Sequence, residues 1–178
     1  MSVRFKSKPA GNSRLHLRKM ALTGLLAAAS LLLSGVSFPV GPTRCYPFQH
    51  TANVLAGAIL GPWWAAVAAF ITSLLRNMAG TGTIFAFPGG IPGAIAAGLA
   101  FRRFKRPAAA LAEPFGTGIL GAAISAWILG PAMGTGAGFS ALAGAFLISS
   151  GPGALIGMAL VHILQKTPLA RVLEIYDH

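Results

Sequence analysis

The chain has 178 residues, 54% of them hydrophobic and 10% charged, with a mean hydropathy of +0.69 and a net charge of +11. That balance excludes an ordinary water-soluble domain and points to an integral membrane protein, with room for about six spans of ~20 residues and little else. The basic residues cluster before and between apolar runs instead of forming a stripe among exposed aromatics, so nucleic acid is not an expected partner.

A leader carrying Arg4, Lys6, Lys8, Arg14, Arg18 and Lys19 precedes the first apolar run, Met20–Val36. Basic residues flank membrane spans on the cytoplasmic side, so this run is predicted to leave the cytoplasm as the first helix. A signal peptide cleaved near Gly35-Val36-Ser37 is the rival reading. Next comes FPVGPTRCYPFQH, Phe38–His50, whose three prolines forbid a continuing helix and whose Arg, Tyr, Gln and His stand out in so apolar a chain. Its lone Cys45 has no partner for an internal disulfide.

Two short apolar helices are predicted at Phe48–Leu60 and Trp63–Asn77, divided by Gly61-Pro62. At ~1.5 Å per residue neither comfortably crosses ~30 Å of hydrocarbon unless its outer end opens into a cavity. Further helices are predicted from about Pro88 through Phe101, from about Pro114 to Leu129 and from about Ala143 to Leu164. Six crossings put the leader, the Arg102, Arg103, Lys105, Arg106 cluster, and the tail with Lys166 and Arg171 all on the cytoplasmic side. The expected organisation is a basic leader over residues 1–19, one six-helix membrane domain over 20–165 and a cytoplasmic tail over 166–178, with both termini inside a plasma membrane.

On this topology the loops with the most distinctive side chains lie outside. Gln49, His50 and Asn53 share one helix face, a costly arrangement in lipid unless the face meets a cavity or a neighbouring helix. Tyr46 and Arg44 lie alongside. Arg76 and Asn77 end the third helix, where Arg76 either enters a site or reaches to the outer headgroups. Thr81, Thr83, Phe85 and Phe87 follow in a Gly-hinged segment, offering hydroxyls and flat rings of the kind that hold a small aromatic ligand. Catalysis finds little support. The acids are Glu113, Glu174 and Asp177, no carboxylate pair is expected within the membrane, and no His, Cys and acid grouping has metal-ligand spacing. Glu113 is expected to cap the fifth helix, pair with the nearby basic cluster or meet a cytoplasmic partner. Small residues four apart, such as Gly24/Ala28, Gly93/Ala97 and Gly153/Gly157, allow close approach of helices in lipid.

The segments SFPVGPTRCYPFQHTANVLAGAILGPWWA, AFITSLLRNMAGTGTIFAFPGGIPGA and EPFGTGILGA resemble the ThiW family, substrate-capture (S) components of energy-coupling-factor (ECF) vitamin transporters. The resemblance is detailed over about Phe38–Ala122. It implies a bundle of six transmembrane helices that binds a thiamine precursor, hydroxyethylthiazole, near the outer face. It also implies docking on a membrane scaffold subunit, EcfT, driven by two cytoplasmic ATPases, so that ATP is used by partners and this chain holds no cofactor. The substrate-binding set is then Tyr46, Gln49, His50, Asn53, Arg76, Asn77, Thr81, Thr83, Phe85 and Phe87. The docking set is Gly24, Ala27 and Ala28, where Gly24-x-x-x-Ala28 stands in place of the family's Ala-x-x-x-Ala. Two alternatives remain: another small vitamin or heterocycle as ligand, and a membrane enzyme acting on lipid phosphates through Arg76 and His50.

Overall fold

A computed structural model of the chain describes residues 10–40, 43–173 and 175. The start of the basic leader, the tip of the Phe38–His50 loop at residues 41 and 42, and the last acids at 174 and 177 lie outside the described residues.

The described residues form six principal helices: α1 (Ala10–Leu33), α2 (Pro47–Leu60), α3 (Pro62–Met78), α4 (Ile91–Phe104), α5 (Pro107–Ala132) and α6 (Phe139–Gln165). A single turn, α7 (Leu169–Val172), follows. Proline explains several starts: Pro47, Pro62 and Pro107 each stand in the first turn, where a missing N–H costs nothing. Gly61 ends α2 at φ 83°, a left-handed conformation open to glycine, so α3 folds straight back along it. Within α5, two stretches of wider π turns, Gly116–Gly121 and Ser125–Leu129, loosen the helical register.

Two differences from the sequence expectation have physical reasons. The first helix begins at Ala10, inside the basic leader, because Ser13 through Lys19 contains no helix breaker. The Phe38–His50 loop holds a small antiparallel pair, β1 (Phe38–Val40) with β2 (Thr43–Cys45), since Pro39 is tolerated in a two-stranded ribbon with open edges. Four stretches, Ser13–Leu33, Ile84–Phe104, Pro107–Ala132 and Phe139–Gln165, are long and apolar enough to cross a membrane, whereas α2 and α3 have 14 and 17 residues.

The α2 helix is the centre of the bundle, surrounded by α1, α3, α4 and α6. Its lower half packs apolar side chains: Val54 and Ala58 join Phe101, Ala154 and Val161, while Ala56 and Leu60 join Ala65, Ala69 and Ala94. Its upper half is polar, and Thr51 Oγ1 donates to Gly153 O at 2.9 Å to tie it to α6. Large apolar side chains such as Leu25, Leu32, Phe70, Trp127 and Ile163 face outward, the expected surface of a protein whose solvent is lipid. Arg18 donates to Val172 O, which brings the start of α1 and the tail to the same end of the bundle.

Close approach depends on glycine. A Cβ on Gly157 would lie 2.7 Å from Val54 Cβ, whereas one on Gly24 would meet nothing within 4 Å. Gly157→Leu is therefore expected to lower stability by about 1–3 kcal/mol through overpacking, and Gly24→Leu to leave it within about 0.5 kcal/mol. Thermal unfolding of the two detergent-purified variants checks the contrast.

Candidate functional site

At the end of the bundle opposite the tail lies a cavity of about 1090 Å³, bounded by the end of α1, the start of α2, the end of α3 with the segment after it, and the first half of α6. The two short helices thus finish at a cavity, and this accounts for their length: polar side chains and loops occupy the space a further turn would take.

Tyr46 joins three parts of the wall. Its N–H donates to Ser149 Oγ on α6 at 2.8 Å, its hydroxyl donates to Thr81 O at 3.2 Å, and its ring lies 3.8 Å below the Arg76 guanidinium. Arg76 is only 3% exposed, so it does not reach to headgroups. It donates to Gln49 Oε1 and, at 2.9 Å, to Thr81 O. A cation held over an aromatic face and between two carbonyl oxygens is fixed in position.

Of the ten side chains expected to bind substrate, Tyr46, Gln49, His50, Arg76, Thr81, Thr83 and Phe85 line this cavity. The other three stand behind it. Asn53 donates to Gly90 O and to Glu113 Oε1, both at 3.1 Å. Asn77 donates to Ser73 O at 2.8 Å and Thr83 O at 3.0 Å, holding the loop to α3. Phe87 packs on Phe70, with ring centroids 5.5 Å apart.

Glu113 corrects the sequence reading. It neither caps α5 at the surface nor pairs with the basic cluster, but is fully buried, with Oε1 accepting from His50 Nδ1 at 2.8 Å, Thr117 Oγ1 at 2.9 Å and Asn53. A carboxylate inside a lipid-embedded bundle needs such donors, because desolvation without them costs several kcal/mol. With Glu113 as a carboxylate the contact sets the imidazole, Nδ1 being the donor, and Nε2, on a residue that lines the cavity, has no protein partner among the described residues. Gly93 makes room for the pair, since a Cβ there would fall 2.1 Å from Thr117 Oγ1 and 2.5 Å from Glu113 Oε1. The signal was the combination of one acid in an apolar helix with polar residues one helical repeat apart on α2, and spacing alone could not show that the two faces meet.

Sequence reasoning also missed the α6 wall, where Ser140, Phe146 and Ser149 line the cavity. The Gly-rich stretch from Gly130 to Leu142 and the start of α6 carry no charge that would have marked them. Among the proposed docking residues, Gly24 and Ala28 are exposed, but Ala27 is 1% exposed and packs inward with Thr23 and Ser30. One residue of offset turns a helical position through ~100°, so adjacent Ala27 and Ala28 cannot serve one lipid-facing surface. Among the described residues no group of three or more His, Cys, Asp or Glu side chains could hold a metal ion.

Truncating the buried acid tests this network. Glu113→Ala leaves the His50, Asn53 and Thr117 donors without their acceptor and is expected to cost about 3–5 kcal/mol. Glu113→Gln, which keeps an Oε1 acceptor, is expected to lose less. The midpoints of thermal unfolding, compared at one pH, decide between the two.

The family model described as thiamine-precursor transporter protein (ThiW) matches residues 20–167, and the chain belongs to that family. Comparison with curated proteins gives no match.

Proposed function

We propose that this ThiW-family membrane transporter is the substrate-capture component of an ECF-type uptake system, taking a thiazole precursor of thiamine into the cavity above α2. The observation that carries the reading is the convergence, in one cavity, of Tyr46, Gln49 and His50 from one segment with Arg76, Thr81 and Phe85 from another. Hydroxyethylthiazole is a small ring with one polar arm, and the cavity combines aromatic walls, Phe85 and Phe146, with a polar floor at Gln49 and His50.

The cavity faces the outside of the plasma membrane in this reading, with six crossings and both ends of the chain in the cytoplasm. The β1–β2 ribbon with Tyr46 forms its movable edge. Precursor enters from outside, the edge closes, and the component turns in the bilayer on its scaffold. Two cytoplasmic ATPases supply the energy, because no nucleotide-binding motif is present in this chain. The scaffold, EcfT, meets the exposed Gly24 and Ala28 face of α1, where backbones can approach closely. The chain itself performs no catalysis in this scheme.

Accumulation of labelled thiazole precursor in cells expressing the chain is expected only when scaffold and ATPase subunits are co-expressed. Thermal stabilisation of the purified protein should follow thiazole precursors in preference to the pyrimidine half or intact thiamine. Absence of both effects overturns the reading. Gly24→Leu is expected to retain stability and precursor binding while losing co-purification with the scaffold, which separates docking from capture.

One observation favours a second reading. The His50–Glu113 contact at 2.8 Å is an arrangement that orients a general base. A membrane enzyme working on lipid phosphates through His50 and Arg76 would release phosphate from such lipids and lose that activity in His50→Ala. Preserved precursor uptake in Arg76→Ala would point the same way.

A further inference from the structure

The cavity is electrostatically one-sided. Arg44, Arg76 and His50 line it, and no Asp or Glu is among its lining residues. Glu113, behind His50, is engaged by three donors on its Oε1. Arg76 therefore sits in the wall as a buried cation whose partners among the described residues, Gln49 Oε1, Thr81 O and the face of the Tyr46 ring, are all neutral.

A guanidinium offers five N–H donors in a planar fork; Arg76 Nε is buried with no partner among the described residues, so the hydrogens left for a ligand are those that Nη1 and Nη2 do not give to Gln49 and Thr81. Burying a charge in this way is costly, and carbonyl dipoles at the end of α3 with the Tyr46 ring face offset only part of it. The group that completes such a fork is a planar or tetrahedral oxyanion, bound through two parallel N–H···O contacts.

Resting on the thiazole-precursor reading of this cavity, we infer that the captured form carries an oxyanion, as a phosphate monoester or a carboxylate on the side arm of the heterocycle, and that Arg76 is the residue that selects it. The ring then lies toward Phe85 and Phe146, with the anionic arm toward α3. Arg44 at β2, exposed and held to Ser37 Oγ at 3.2 Å, adds positive potential at the cavity's edge. An anionic side arm also gives the cell a reason to need a carrier, since a charged group crosses hydrocarbon poorly on its own.

Arg76 also holds Thr81 and Gln49 in place, so loss of binding in a variant would not by itself identify its role. The dependence on ligand charge does. Full-length protein in nanodiscs is titrated calorimetrically with hydroxyethylthiazole, its phosphate monoester and the corresponding thiazole acetic acid. At least one anionic congener is expected to bind roughly tenfold or more tighter than the alcohol. The phosphate and carboxylate arms tell which anion is preferred. In Arg76→Gln this preference disappears, and in Arg76→Lys, which keeps the charge but loses the planar fork, only part of it remains. Equal binding of alcohol and both anions by the unaltered protein overturns the inference while leaving the thiazole-precursor reading intact, and does not depend on any variant folding. A preference unchanged in Arg76→Gln also overturns it. Binding of none of the three overturns the thiazole-precursor reading and the inference together.

Discussion

A carboxylate buried in an apolar bundle sets the terms for much of this molecule. Glu113 Oε1 takes hydrogen bonds from α2 through His50 and Asn53 and from its own helix through Thr117. Those bonds hold the polar half of α2 against α5, and they are possible only because α4 offers a glycine, Gly93, where any side chain would collide with them. The wall of the cavity follows: with His50 turned by Glu113 and Asn53 tied to Gly90 O, the α2 face that remains for the cavity is Gln49 and the far side of the imidazole. Arg76 then closes the angle between α2 and α3 by bonding Gln49. Removing the acid would loosen a chain of contacts reaching from α5 to α3.

Charge is arranged in layers along the bundle. Exposed basic residues, Arg102 through Arg106, lie at the end of α4, and Arg18 lies beside the tail at the corresponding end of α1. The middle is apolar, built around Val54, Phe101 and Val161. Among the described residues the buried His50, Arg76 and Glu113 lie toward the cavity and shape its wall. This placement is economical in a membrane, since polar groups inside lipid-embedded helices are tolerated where they bond to one another or border a polar space.

Much of this was legible in the sequence. Helices were readable from runs of apolar residues bounded by proline and glycine, and α2, α3 and α6 fall within a few residues of their predicted bounds. The polar segments that border the cavity were readable because side chains such as Gln49, His50 and Arg76 have no cheap place in lipid. What could not be read was pairing between distant segments. Glu113 stood 63 residues from His50, with no periodicity to join them. The inward turn of Ala27 depends on how α1 rotates against its neighbours, and a nearly uniform run of Ala and Leu gives little preference for one face. The α6 wall was silent because Gly, Ala and Ser serve equally for helix packing and for lining a cavity.

The brevity of α3 has a consequence for the surrounding lipid. Trp63, Val67, Phe70, Leu74 and Met78 form an outward stripe along it, so this helix, unlike the enclosed α2, presents an apolar face to the surroundings. Its 17 residues extend only ~25 Å, less than the ~30 Å of a typical hydrocarbon layer. Were α3 to cross such a layer, acyl chains beside it would have to shorten or splay to meet it, while those beside the 27-residue α6 would not. A bilayer of that thickness would then be thinner on the α3 flank of the molecule than on the α6 flank.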